Sequence, residues 1–252
     1  MAESYNTLGA KAEFLDINEA LAYLFSSFEA RYRFHCRRLD REYRRPEIIV
    51  DLARKLGVLP DPSTTCLVTG SKGKGSVARM VAWNIEAAGL CVGLVVTPEE
   101  IIHLDRIRIG NRPISADDFC RILGSVRDLL DSVLNEQPED FYFPPTALFL
   151  LVALIWFREN EVEACVIEGG RGAQFDEIGH LDARVGVVTN VMLEHATRLG
   201  PALEEIATDK LSLTERCRTV IVGHAVAHWR NLLPEQSWNK RVRVVSHNIS
   251  RV

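Results

Sequence analysis

Apolar residues gather along the chain in short runs, and the longer stretches between those runs repeat with helical spacing. CLVTG (66–70), VGLVV (92–96), ACVIEGG (164–170), VGVVTNV (185–191), TVIVG (219–223) and VRVVSH (242–247) read as strands. Their apolar residues fall at successive rather than alternate positions, as in strands of a parallel sheet covered on both faces. Helical patterns occupy roughly 74–89, 115–136, 145–160 and 201–214, with Gly89 placed to end the first and Pro201 to open the last. Strand and helix in alternation predict an α/β fold: a parallel sheet with helices on both faces. The most apolar stretch, FPPTALFLLVALIWF, falls short of the ~20 residues a membrane span needs. It reads as a buried helix with Pro144 and Pro145 at its mouth. Residues 1–60 are helical in pattern and are expected to pack as a segment on a main domain at 61–252.

Composition narrows the class. A chain of 252 residues, 47% hydrophobic and 25% charged, can bury a sizeable core without staples. Its net charge of −4 argues against a nucleic-acid binder. The six cysteines show neither C-x-x-C nor zinc spacing and read as reduced thiols. The N-terminal residues lack a basic start followed by an apolar run, so a cytoplasmic protein is expected. RYRFHCRRLDREYRR (31–45) reads either as an anion-binding arm or as a solvated helix face whose arginine stems cover apolar surface. Asp40 and Glu42 interrupt the run and favour the second reading.

In open α/β sheets the chemistry sits beyond the carboxyl ends of the strands. The first strand delivers GSKGKGS and then a helix. Glycines there let backbone N–H groups approach phosphate oxygens, and the helix N-terminus adds partial positive charge. The spacing is not that of the common phosphate loop, G-x-x-x-x-G-K-[ST]: Val68 stands where its first glycine would be, and Ser76 comes one place late. Lys74 can reach terminal phosphates and Ser76 can offer a hydroxyl to magnesium. Later strands deliver Thr97, Glu168, and Glu194 with His195 to the same edge; Lys210 lies in the helix that follows. Singly, each of these is more often an ordinary surface or strand-end residue. Jointly, a glycine-rich loop, a hydroxyl, a carboxylate and an imidazole describe a magnesium–nucleotide site.

VTGSKGKGSVARMVAWNIEAAGL resembles the ATP loop of folylpolyglutamate synthases, a branch of the Mur ligases that uses G-x-x-G-K-G-S. VGLVVTPEEIIHLDRIRIGNRPIS, VIEGGRGAQFDE and GVVTNVMLEHATRLGPALEEIATDK resemble the segments that follow it in that family, in the same order and at similar spacing, over roughly residues 17–223. The resemblance implies a Mur-ligase central domain containing the phosphate loop, and ATP-dependent joining of an amine to a carboxylate through an acyl phosphate. It implies that Gly70, Ser71, Lys72, Gly73, Lys74, Gly75, Ser76 and Asn190 meet ATP. It places Ser76, Thr97, Glu168 and His195 around Mg²⁺, and Lys74, His195 and Lys210 in catalysis, Lys210 falling on a family lysine that is often carbamylated. The implied partners are a carboxylate substrate and an amino-acid donor, glutamate in the parent family.

Departures are confined to particular segments. The family's histidine after Ser-Pro is Glu99, and the serine is Thr97. In the glycine loop the usual arginine is Gln174 and the closing asparagine is Gly179, while Asp176 stays. The aspartate before His195 is Glu194, and the acid before the apolar helix is missing from FYFPPT. The family's C-terminal domain and late adenine contacts are expected to lie beyond Val252. That leaves three readings open: a fragment, one half of a ligase working with a partner subunit as in poly-γ-glutamate synthesis, or a shortened, non-catalytic nucleotide-binding relative.

Overall fold

In a computed structural model, which describes residues 14–35, 37–233 and 235–245, the apolar runs assemble into one sheet. Its strands are β1 (Thr65–Thr69), β2 (Val92–Val95), β3 (Ile107–Ile109), β4 (Arg112–Pro113), β5 (Ala164–Glu168), β6 (Ala183–Val188), β7 (Cys217–Gly223) and β8 (Val242–Val245). Their spatial order is β4-β3-β2-β5-β1-β6-β7-β8. The strands β2, β5, β1, β6, β7 and β8 run parallel, as their two-sided apolar runs require. β3 and β4 add an antiparallel edge that the hydrophobic pattern did not announce, because strands this short show no period.

The helices are α1 (Ile17–Arg31), α2 (Asp40–Tyr43), α3 (Glu47–Lys55), α4 (Lys74–Ala87), α5 (Ala116–Ser125), α6 (Arg127–Glu136), α7 (Pro145–Glu159), α8 (Ala196–Leu199), α9 (Leu203–Leu211), α10 (Leu213–Arg216) and α11 (Glu235–Arg241). Successive side chains of the inner strands point to opposite faces. Cys66, Val68, Val92, Leu94, Ala164 and Val166 pack under α4 through Ala78 and Ala82. Leu67, Val95, Cys165 and Ile167 face the larger core that holds α7. That helix is buried all round from Ala147 to Phe157, with Pro145 in its first turn. On the α4 face the cover is uneven: Val185, Val187 and Ile221 of β6 and β7 are only half-buried.

Some boundaries differ from expectation. The helix expected over 115–136 breaks at Val126, which is fully buried and follows the weak helix former Gly124. The one expected over 201–214 starts at Leu203 and breaks at Ser212, whose N–H bonds back to Thr208. Gly169–Gly170 and Thr189–Val191 leave the ladder and become loops. The end of the last predicted strand, residues 246 and 247, lies outside the described residues.

The arginine-rich run is not one helix face. α1, capped by Asp16 through the N–H groups of Asn18 and Glu19, ends at Arg31, and α2 begins at Asp40. Arginines of the run tie to the rest of the chain: Arg31 to the Phe141 carbonyl, Arg38 to Asp140 and Arg41 to Glu205. α1 and α3 contribute Leu24, Ile49 and Leu52 to the same core as α5 and α7. Among the described residues, no helix is long and apolar enough to cross a membrane.

Gly93 of β2 lies against α7, and a Cβ there would sit 2.7 Å from the Phe157 ring. Gly93→Ala is therefore expected to destabilise the fold by about 1–3 kcal/mol through overpacking. Urea denaturation checks this: a lowered midpoint at unchanged m is expected.

Candidate functional site

β1 lies in the middle of the sheet, flanked by β5 and β6, and its carboxyl end runs through residues 70–73 into α4. Gly70 (φ +136°) passes so close to the β6 exit that a Cβ would fall 1.9 Å from Thr189 Oγ1. Gly73 adopts a left-handed conformation (φ +78°) at the helix cap, where no side chain bonds the first turn of α4. Those N–H groups lack intrahelical partners and face outward with the positive end of the helix dipole. The loop is held from the β6 side. The Thr189 N–H donates to the Thr69 carbonyl (3.0 Å), and the Asn190 side-chain oxygen accepts from the N–H groups of Ser71 (3.1 Å) and Lys72 (2.8 Å). The Lys74 ammonium curls back onto the Gly70 carbonyl at 3.0 Å.

Glu168 ends β5 in register with Val68. Its Oε2 accepts the Thr97 N–H at 2.9 Å, and a Cβ on Gly75 would come 3.3 Å from the same oxygen. The carboxylate thus lies against the opening turn of α4, a closeness that a glycine at position 75 permits. Burial, foremost, raises the Glu168 pKa, opposed by the Thr97 N–H and by Lys74 and Arg79. Ser76, one residue on, is exposed and helps wall a neighbouring groove with Arg79 and Trp83.

His195 adopts a left-handed conformation (φ +50°) just before α8. Lys210 on α9 is buried, its ammonium 3.5 Å from Glu194, which also lies 3.6 Å from Lys72. Burial is the main cause lowering the pKa of both His195 and Lys210, with Glu194 opposing. The surroundings therefore favour a neutral imidazole, a competent metal ligand.

A cleft of about 470 Å³ gathers these groups: Ser71, Lys72, Lys74, Thr97 and His195 are in its wall. Glu168 adjoins it through Thr97, and Lys210 through Glu194. Phe28, Tyr32 and Tyr142 add an aromatic part to the same wall, with the Phe28 and Tyr32 rings 4.6 Å apart. Among the described residues, no group of three or more His, Cys, Asp or Glu side chains is arranged to hold a metal ion. A divalent cation here would draw on hydroxyl, carboxylate and imidazole donors and on phosphate oxygens, which suits magnesium.

No protein-family model matches the chain. It is 32% identical over 178 residues to folylpolyglutamate synthase of Lacticaseibacillus casei, covering 71% of this chain and 41% of that enzyme. It superposes on the apo form of the L. casei enzyme with a TM-score of 0.76 at 26% identity, over 91% of this chain and 54% of that one. A complex of such a synthase with AMPPCP and folate gives a TM-score of 0.74 at 26% identity, covering 92% and 54%. In sequence and in fold the chain is similar to the N-terminal and central part of folylpolyglutamate synthases. It spans about half the length of the L. casei synthase, 41% by sequence and 54% by superposition.

Several side chains around the cleft make contacts that neither the residue pattern nor the resemblance to the synthases foretold. Glu99, which stands where they carry histidine, accepts from Arg106 Nε at 2.7 Å. Asp40, read as an interruption of the arginine run, takes the Arg171 guanidinium on both oxygens (2.8 and 2.6 Å) and the Tyr43 hydroxyl (2.8 Å). Arg44 Nη2 meets both oxygens of Glu177 at 3.2 and 3.3 Å, both side chains buried. Asp176 accepts the N–H groups of Gly170 and Arg171. These pairs join α2 and its flanks to the glycine loop, and nothing in their sequence spacing links positions 40 and 44 to 171 and 177. Glu177→Gln is expected to cost about 3–5 kcal/mol, because it strands a buried guanidinium. The double variant Arg44→Met/Glu177→Leu is expected to cost far less; chemical denaturation of the three proteins measures the difference.

Proposed function

We propose that this chain supplies the Mg²⁺–ATP site of an ATP-dependent carboxylate–amine ligase of the folylpolyglutamate synthase type. The observation that carries the reading is the uncapped start of α4 at the centre of the sheet, with Lys74 beside it and Glu168 against its first turn. Ser71, Lys72, Gly73, Lys74, Gly75 and Ser76 would receive the phosphates, with Gly70 and Asn190 holding the loop in shape. Lys74 would leave the Gly70 carbonyl to offset charge on the transferred phosphoryl group. Glu168, Thr97, Ser76 and His195 would hold magnesium, which supplies charge neutralisation at the phosphates. Lys210, whose lowered pKa favours the free amine, would be open to carbamylation: amine plus CO₂ gives a carbamate and a proton, and so an anionic group beside Glu194.

The second substrate would lie against the aromatic wall of Phe28, Tyr32 and Tyr142, which suits a flat conjugated acceptor such as a folate. Its carboxylate would attack the terminal phosphoryl group in line, and the acyl phosphate would pass to the amine of glutamate. Glutamate binding and closure over ATP would fall to parts of the ligase outside the matched region.

Binding of AMPPCP with Mg²⁺, followed by calorimetry, tests the nucleotide site directly. Lys74→Ala is expected to weaken binding at least tenfold, about 1.4 kcal/mol or more. Glu168→Gln is expected to remove the magnesium dependence. Unchanged affinity in Lys74→Ala overturns the reading.

A further inference from the structure

Early in α4 stands a cation that the reading of the cleft leaves without a role. Arg79 lies one turn on from Gly75, to whose carbonyl its Nη1 donates at 3.5 Å. Its Nη1 and Glu168 Oε2 approach the same point, lying 3.1 and 3.3 Å from where a Cβ on Gly75 would stand. With glycine at that position, no side chain separates the guanidinium from the carboxylate. Yet among the described residues Arg79 is paired with Glu100, at 2.8 Å, and not with Glu168.

Glu168 itself helps to place Glu100. Its Oε2 accepts the Thr97 N–H at 2.9 Å, just past β2. Two residues on, Glu99 accepts from Arg106 Nε at 2.7 Å. The chain after β2 is thereby pinned at Thr97 and at Glu99, and Glu100 comes next, against α4. Glu168, Thr97, Glu100 and Arg79 thus form a ring of contacts that is open at the gap beside Gly75. Charge already acts across that gap: burial, foremost, raises the Glu168 pKa, and Arg79 is among the groups that oppose it. The side chains of Arg79 and Glu100 are 32% and 56% exposed, so their ion pair is weak and exchanges readily.

We propose that Arg79 is a positioning residue that governs the entry of magnesium at Glu168: Glu100 holds the guanidinium off the carboxylate, and a guanidinium released from Glu100 turns across Gly75 onto Glu168 and competes with the metal. This rests on the ligase reading, in which Glu168 holds magnesium. A guanidinium and a divalent cation repel each other at such short range, so one carboxylate serves one of them at a time. Metal occupancy then depends on Glu100, a residue outside the set that would hold magnesium or the phosphates.

Calorimetric titration with AMPPCP at a series of Mg²⁺ concentrations gives a Mg²⁺ midpoint for each variant, and circular dichroism verifies its folding. Arg79→Gln is expected to lower the midpoint about three- to tenfold, because it removes a positive charge beside the metal. Glu100→Gln is expected to raise it about threefold by releasing Arg79. The double variant Arg79→Gln/Glu100→Gln is expected to match Arg79→Gln, since Glu100 acts through Arg79. The gap between wild type and Arg79→Gln is expected to narrow as potassium chloride is raised, which a merely structural role would not produce. With wild-type binding dependent on magnesium, three results overturn the proposal and leave the ligase reading standing. One is a midpoint that Arg79→Gln leaves unchanged or raises. Another is a gap that salt does not narrow. The third is a Glu100→Gln effect of equal size with and without Arg79. Wild-type binding that needs no magnesium overturns the metal site of the ligase reading, and this proposal with it.

Discussion

The contact between Gly70 and Thr189 is the constraint on which the rest of the site depends. At that point the exits of two parallel neighbours, β1 and β6, come closer than any side chain on residue 70 would allow. The loops after them are then stitched together through Thr189 and Asn190. The first turn of α4, bare of side-chain caps, starts beside the cleft at Lys74. Glu168 and Thr97, at the ends of β5 and β2, are brought to the same edge by the strand order alone.

A second layer of order comes from buried charge. Asp40–Arg171 and Arg44–Glu177 cross between the N-terminal region and the glycine loop with little water around them. Such pairs add little net stability compared with apolar contacts of similar volume, but a broken one is costly. Their value here is positional: they fix the loop from behind, while Asp176 fixes its backbone from within.

Much of this was legible in the chain. Two-sided apolar runs announced the six parallel strands, and the glycine-rich turn after Thr69 announced the loop, because both leave local marks. The antiparallel edge was too short to leave a period. Thr97 and Glu168 were placed correctly at or just past strand ends, whereas Asn190, read inside a strand, lies in the loop after β6; what each touches is set by strand order, which single-strand patterns do not carry. The roles of Asp40 and Arg44 were hidden because their partners are more than a hundred residues away. A run of arginines read as surface turned out to be partly interior, since charge pattern alone does not distinguish a solvated cation from one with a buried partner.

The uneven cover on the α4 side has a consequence for how the molecule breathes. Beneath α4 the central strands are dry, whereas Val185, Val187 and Ile221 meet solvent, and among the described residues β8 is the outermost strand on that side, with Val244 and Val245 exposed. Amide protons should therefore exchange in a gradient, fastest in β8, slower in β7 and slowest in β1 and β5. Local opening would peel the sheet inward from β8, and the stitched exits of β1 and β6 would be among the last parts to loosen. The loop at Gly70 thus sits in the slow-exchanging heart of the sheet, although its tip is open to the cleft.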